Sequence, residues 1–378
     1  PSGTPIASIR RVAPTNTSRR RMDQADLERL LMALRRDGFR VIGPTPREGA
    51  VRLGDLESTQ ELPWGVGDEQ EPGRYRLTSR ARGAFGHTVG QDSFKRFFLA
   101  PSELLWRAER RDSKLHFTNA EPVPEKLALF GVRACDLAAI EIQDQVLLGA
   151  DPRYRARREG AFVVAVSCTV SSGSCFCASM GTGPRASRGF DLALVELDRC
   201  YVVEVKSERG LELCERLGLP LASAEELAVA EEAVTENARA QSRRMSTEDL
   251  HDVLLSNLDH AHWDEVAERC LACANCTSVC PTCFCTNVKD SIDVTGSVAE
   301  RWRVIDSCFT HEFTHLHGGS VRSSTRSRYR QWLTHKLATW VDQFGRSGCV
   351  GCGRCITWCP AGIEITREAS ALRQGRLP

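Results

Sequence analysis

The stretch CLACANCTSVCPTCFC, residues 270–285, carries six cysteines in sixteen positions, and GCVGCGRCITWCP, residues 348–360, returns to the same pattern. The first run is spaced Cys270-x2-Cys273-x2-Cys276-x3-Cys280-Pro281, the second Cys349-x2-Cys352-x2-Cys355-x3-Cys359-Pro360. Three thiolates placed two residues apart can wrap one face of an iron-sulfur cube, whose remaining corner needs a ligand from elsewhere. Proline after the fourth cysteine removes an N–H donor and redirects the chain, so that this cysteine can point away from its neighbours.

This is the spacing of bacterial two-cluster ferredoxins, in which the fourth cysteine of each run ligates the other cluster. It assigns Cys270, Cys273, Cys276 and Cys359 to one 4Fe-4S cluster, and Cys349, Cys352, Cys355 and Cys280 to a second. CxxC pairs also build tetrahedral zinc sites. Zinc, however, has no use for a third CxxC step or for a terminal Cys-Pro, and both occur twice. Two cubes that exchange ligands must be close neighbours, and neighbouring cubes with no obvious substrate site are the arrangement of an electron wire. The 68 residues between Cys280 and Cys349 far exceed the connection of a small ferredoxin. They include RSRYRQWLTHKLATWVDQFG, whose Tyr329, Trp332, Leu333, Leu337, Trp340, Val341 and Phe344 recur every three or four residues. That pattern predicts a strong amphipathic helix and a largely helical insertion.

The chain of 378 residues balances 50 basic against 49 acidic residues and contains 17 cysteines. A net charge of +1 supplies no field to recruit nucleic acid or an anionic membrane. No apolar run approaches the length of a membrane span, and the N-terminal stretch lacks the apolar core of an export signal. The expected location is cytoplasmic, where structural disulfides are disfavoured and metal ligation is the leading use for so many thiols.

Along the chain, residues 1–22 read as a polar tail, with Arg19, Arg20 and Arg21 as a solvated basic patch. Residues 23–220 read as an α+β, α/β-like sheet domain that begins with the amphipathic segment QADLERLLMALRR and includes GRYRL, AFVVAVSC, DLALVEL and YVVEVKS as strands. Residues 221–262 read as a helical connector, and residues 263–378 as an α-helical ferredoxin-type dicluster domain. In LALFGVRACDLAAIEIQD a strand turns into a helix, with Asp136 as its expected N-cap and Cys135 in the turn. Cys135, Cys168, Cys175 and Cys177 fall in loops of this sheet and could converge at its C-terminal edge. They are candidates for a third iron-sulfur site, the alternative being reduced, buried thiols. Cys200 and Cys214 read as core residues. Cys283 and Cys285 follow a cube whose ligands are already complete, so they read as packing or tuning groups.

SCFTHEFTHLHGG, residues 307–319, brings Cys308, His311, His315 and His317 together in sequence. His311 and His315 are spaced for one helix face and a divalent metal. HEFTH satisfies HExxH in letters, but it lies inside an insertion between cluster ligands and ends at once in Gly318-Gly319, so peptidase chemistry is rejected. No Walker A loop and no GxGxxG are present.

With these residues assembled, the sequence resembles the iron-sulfur β subunits of cytosolic nickel-iron sulfhydrogenases and the related A subunit of anaerobic sulfite reductase. The resemblance covers about residues 70–365 and rests on GRYRL, FGVRACDLAAIEIQD, SCFC with GTGP, CLACANCTSVCPTCFC, RYRQWLTHKL and GCVGCGRCITWCPAGIEI. Ala134 departs from it, where proline is expected before Cys135. The resemblance implies a non-catalytic redox subunit of a hetero-oligomer, passing electrons between a flavin- and NAD(P)-binding diaphorase subunit and a nickel-iron hydrogenase small subunit. In the sulfite reductase relatives the electrons run toward a sirohaem subunit. A sensory or purely structural role for the clusters is the reading from another class.

Overall fold

The protein is described here by a computed structural model over residues 18–374, apart from residues 80, 113 and 122–124. In chain order the first strands are β1 (Arg19–Met22), β2 (Arg40–Arg47), β3 (Ala50–Asp55), β4 (Gly67–Glu71) and β5 (Arg74–Thr78). They are followed by β6 (Ser102–Arg111), β7 (Lys114–Asn119), β8 (Leu127–Arg133), β9 (Phe162–Val166), β10 (Leu192–Glu196) and β11 (Tyr201–Val205). Two longer strands, β12 (Thr286–Ile292) and β13 (Val298–Ile305), come later.

A seven-stranded sheet has the order β1-β11-β10-β9-β8-β2-β3. Its central strands β2, β8, β9 and β10 are parallel, and its edges are antiparallel. Every residue of β8 and of β9 is buried, which explains the unbroken apolar runs LALFGV and FVVAV in a sheet covered on both faces. The helices Gln24–Arg36 and Glu208–Arg216 close one face through Leu27, Leu30, Leu31 and Leu213, and Ala134–Leu147 and Pro152–Glu159 close the other through Leu137, Ile140 and Tyr154. Parallel strands place the loops after β8 and β9 at one sheet edge, where the thiols of Cys135 and Cys168 emerge.

The expected tail overreaches at its end. Residues 1–17 lie outside the described residues, but Arg19–Met22 pair in register with Tyr201–Glu204 as the edge strand β1. Met22 is the anchor, fully buried among the leucines of the first helix. Asp136 is not the N-cap: the helix begins at Ala134 behind Arg133, which leaves Cys135 and Asp136 inside its first turn.

After the connecting helices Ala224–Ala240, Leu250–Ser256 and His262–Arg269, the cysteine-rich region packs around Trp263, Tyr329, Trp332, Leu337 and Ile365. The insertion between the two runs is less helical than its aromatic stripe predicts. Its first part is the hairpin β12–β13, which joins β6 and β7 in a four-stranded sheet of order β12-β13-β6-β7. The aromatic helix follows over Thr325–Phe344, with one widened π turn at His335–Thr339. Such turns cluster at functional positions, and this one carries Lys336. Among the described residues no helix is long and apolar enough to cross a membrane.

Candidate metal centre

In each cysteine run the backbone takes the left-handed conformation at the third and fifth positions, which curls three thiols toward one point. In the first run these residues are Ala272 (φ 49°) and Ala274 (φ 63°); in the second they are Gly351 (φ 64°) and Gly353 (φ 78°). Alanine pays a steric cost there that glycine does not, and such strain concentrates at functional sites. Cys270, Cys273 and Cys276 line a cavity together with Cys359, which comes from the far end of the second run. Its walls are apolar, with Phe309, Tyr329, Trp332, Ile363 and Ile365. The Ile363 backbone N–H points at Cys359 Sγ, 3.4 Å away.

Cys280, the last cysteine of the first run, stands near the second, and its charge acts on the thiols of Cys349, Cys352 and Cys355. A Gly351 N–H donor stands 3.5 Å from Cys349 Sγ. Cys355 also lines the cavity of the first group, so the two groups of thiols share a wall. Among the described residues no three His, Cys, Asp or Glu side chains come close enough to hold a single metal ion. Thiols standing apart around a void suit a cluster with several metal atoms better than a lone tetrahedral zinc.

Two buried lysines meet the second group. Lys336 Nζ lies 3.4 Å from Cys280 Sγ and donates to Thr282 Oγ1 at 2.8 Å, while Lys95 Nζ donates to the carbonyls of Cys280 and Cys283 at 2.9 and 3.0 Å. A hydrogen bond from Cys283 and the Lys336 ammonium hold the Cys280 thiol well below its ordinary value. Burial does the reverse elsewhere, pushing Cys349 up to about 12. A metal cluster held here would need these thiols as thiolates, so its binding would be coupled to their deprotonation and to folding. The sequence reading overlooked Lys336, which lay hidden in a segment read only for its aromatic stripe.

The four upstream cysteines lie in one neighbourhood beside the second run. Cys175 feels the charge of Cys168, Cys177 that of Cys175, Cys168 and Cys352, and Cys135 that of Cys352 and Cys177. Cys168, Cys175 and Cys177 each have a polar side chain beside the sulfur. Arg133 Nη1 stands 3.8 Å from Cys168 Sγ, Ser172 Oγ 3.3 Å from Cys175 Sγ, and Gln241 Nε2 3.3 Å from Cys177 Sγ. The loop is bound to the second run by Phe176 N–H donating to the Gly351 carbonyl at 2.9 Å and by Thr182 Oγ1 donating to the Val350 carbonyl at 2.6 Å. Arg354, from the second run, pairs with Asp136 at 2.9 Å, both almost completely buried. Burial raises the thiols of Cys175 and Cys177 to about 11 and about 12.

Other expectations separate here. His311–Thr314 is a single 3₁₀ turn with His315 beyond it, so no helix face carries His311 and His315, and His311, His315 and His317 are all exposed. Cys308 turns away from them and toward Cys285, with which it shares a hydrogen bond. Cys200 and Cys214 are buried away from the thiol groups, beside Glu226 and in the sheet core respectively.

Residues 269–363 match the family of 4Fe-4S dicluster domains. The sulfhydrogenase 2 subunit beta of Pyrococcus furiosus is 35% identical over 286 residues, which span 74% of this chain and 83% of that protein. No solved structure matches the chain.

Proposed function

The chain belongs to the family of sulfhydrogenase beta subunits, and we propose that it relays single electrons between a flavin- and NAD(P)-binding diaphorase subunit and a nickel-iron hydrogenase small subunit. Its broader role, an iron-sulfur electron-transfer subunit, follows from the relative and from the dicluster domain. The finer reading is carried by one observation: three groups of cysteine thiols lie side by side, joined through Cys355 on one side and Cys352 on the other.

In this reading Cys270, Cys273, Cys276 and Cys359 hold one 4Fe-4S cube, and Cys280, Cys349, Cys352 and Cys355 hold a second. Cys135, Cys168, Cys175 and Cys177 hold a third cluster. A bound cube supplies reversible one-electron storage at a potential set by nearby charge, hydrogen bonds and burial. The protein does the rest. Apolar walls of Phe309, Tyr329 and Trp332 exclude water from the first group, and Lys336 places a fixed positive charge beside the second. Cys273 is exposed and Leu271 is 68% exposed, so the first group faces a docking partner while the third is enclosed. The complex works in the cytoplasm.

Anaerobic iron and acid-labile sulfide analysis tests the count. About twelve iron atoms per chain are expected, against about eight if only the two ferredoxin-type groups are filled. Cys175→Ser should lower the count by roughly four; an unchanged count would make the upstream thiols plain core residues. Co-purification with hydrogen-dependent rather than sulfite-dependent electron flow separates the hydrogenase complex from the sulfite reductase alternative.

A further inference from the structure

Cys283, Cys285 and Cys308 lie outside the three groups just described, and all three line one cavity of about 280 Å³. The hairpin β12–β13 creates the juxtaposition. Its register pairs Thr286 with Ile305, and the Asp306 N–H donates to the Cys285 carbonyl at 2.9 Å. Cys308, two residues further on, then folds back to the wall of the cavity that Cys285 lines. The Asp306–Cys285 backbone bond thus sets Cys285 and Cys308 side by side at the base of the hairpin, within reach of one another for a disulfide.

The cavity selects for charge as well. Arg322, His335 and Lys336 line it with Gln331 and aromatic side chains, and no carboxylate does so. Asp306, whose charge opposes ionisation of Cys285, does not line the cavity. The hydrogen bond from Cys308, aided by its backbone N–H and Lys336, brings the Cys285 thiol down to about 7, while the Cys308 thiol is pushed up. One member of the pair is thus a ready nucleophile and the other keeps its proton.

We propose that Cys285 and Cys308 form a thiol–disulfide exchange site for a small anionic disulfide taken up in this cavity. Cys285 thiolate attacks one sulfur of the disulfide RS–SR; the Cys285–SR bond forms, the S–S bond of the ligand breaks, and RS⁻ leaves. Cys308 then loses its proton to solvent and attacks Cys285 Sγ, closing a Cys285–Cys308 disulfide and expelling the second RS⁻. Two protein thiols are oxidised, one small disulfide is reduced to two thiols, and excess small thiol drives the reaction backward. Cys285 is the attacking residue and Cys308 the resolving one.

The test uses the full chain, prepared anaerobically, with oxidised glutathione as the probe, acid quenching, alkylation and peptide mass spectrometry. A Cys285–Cys308 link should form at least ~10-fold faster than any modification of Cys200 or Cys214, because attack depends on thiolate fraction and access. Cys308→Ser should trap glutathione on Cys285, and Cys285→Ser should leave Cys308 unmodified. Equal trapping on either cysteine, or no reaction at Cys285, would overturn the proposal. Iron content is measured on the same samples. Iron retained in both variants supports an exchange pair, and loss of a cluster's worth of iron makes these cysteines ligands and refutes it. That readout is separate from the relay reading, which stands or falls on the wild-type iron count.

Discussion

The two cysteine runs have the same spacing and the same left-handed turns, yet different residues hold those turns. The first uses Ala272 and Ala274, half-buried at the edge of the aromatic core; the second uses Gly351 and Gly353, which are pressed against the loop of Cys175 and Cys177. A Cβ on Gly351 would sit 2.7 Å from the Phe176 carbonyl oxygen, and one on Gly353 2.3 Å from that of Ser174. The cluster spacing is therefore local chemistry, whereas the choice of alanine or glycine reports what packs on the outside. The first run lies nearer the surface, and the second is clasped by the upstream loop.

The largest effect should come from the buried Arg354–Asp136 pair, which ties the second run to the helix that presents Cys135. Asp136→Asn leaves an uncompensated buried guanidinium and should cost about 3–5 kcal/mol in denaturant titration, with loss of iron from the second and third groups before the first. Next is Gly353→Ala. The clash with Ser174 and the positive φ together should destabilise by roughly 2–4 kcal/mol and release the clasping loop to proteolysis.

Lys336→Met removes a buried cation next to Cys280. Reduction adds negative charge, so losing that cation should lower the potential of the second group by tens of millivolts and leave the first nearly unchanged, as a redox titration would reveal. Equal shifts at both would mean that Lys336 does not belong to one group. Smallest is Ala274→Gly. Relief of left-handed strain is offset by the added freedom of the unfolded chain, so stability should change by less than about 1 kcal/mol. A large loss there would erase the distinction between an open and a clasped run.

The contrast also separates what could be read from the sequence and what could not. Cys-Pro after each run signals that Cys280 and Cys359 leave their neighbours, and the structure carries each toward the other run's thiols. Continuous apolar stretches mark β8, β9 and β10, because parallel strands covered on both faces need unbroken Val, Leu and Ala. β12 and β13 stayed hidden because TNVKDSI and VAERWRVI are charged and at most half-buried, and β13 finds its second partner in β6, nearly two hundred residues earlier. Met22 alone distinguishes β1 from a basic tail, and one buried side chain is a faint signal. His311 and His315 had helical spacing without the length to build a helix. Lys336 and Cys308 acquire their chemistry only from tertiary neighbours, Cys280 and Cys285, which no local pattern can display.

EPR of the fully reduced, anaerobically purified protein tests most directly whether the two adjoining thiol groups hold cubes with crossed ligands. Reduced cubes this close should couple, giving a broad interaction spectrum that Cys280→Ser or Cys359→Ser converts to a narrower one. Independent, uncoupled cube signals in the wild-type protein would contradict the crossed arrangement.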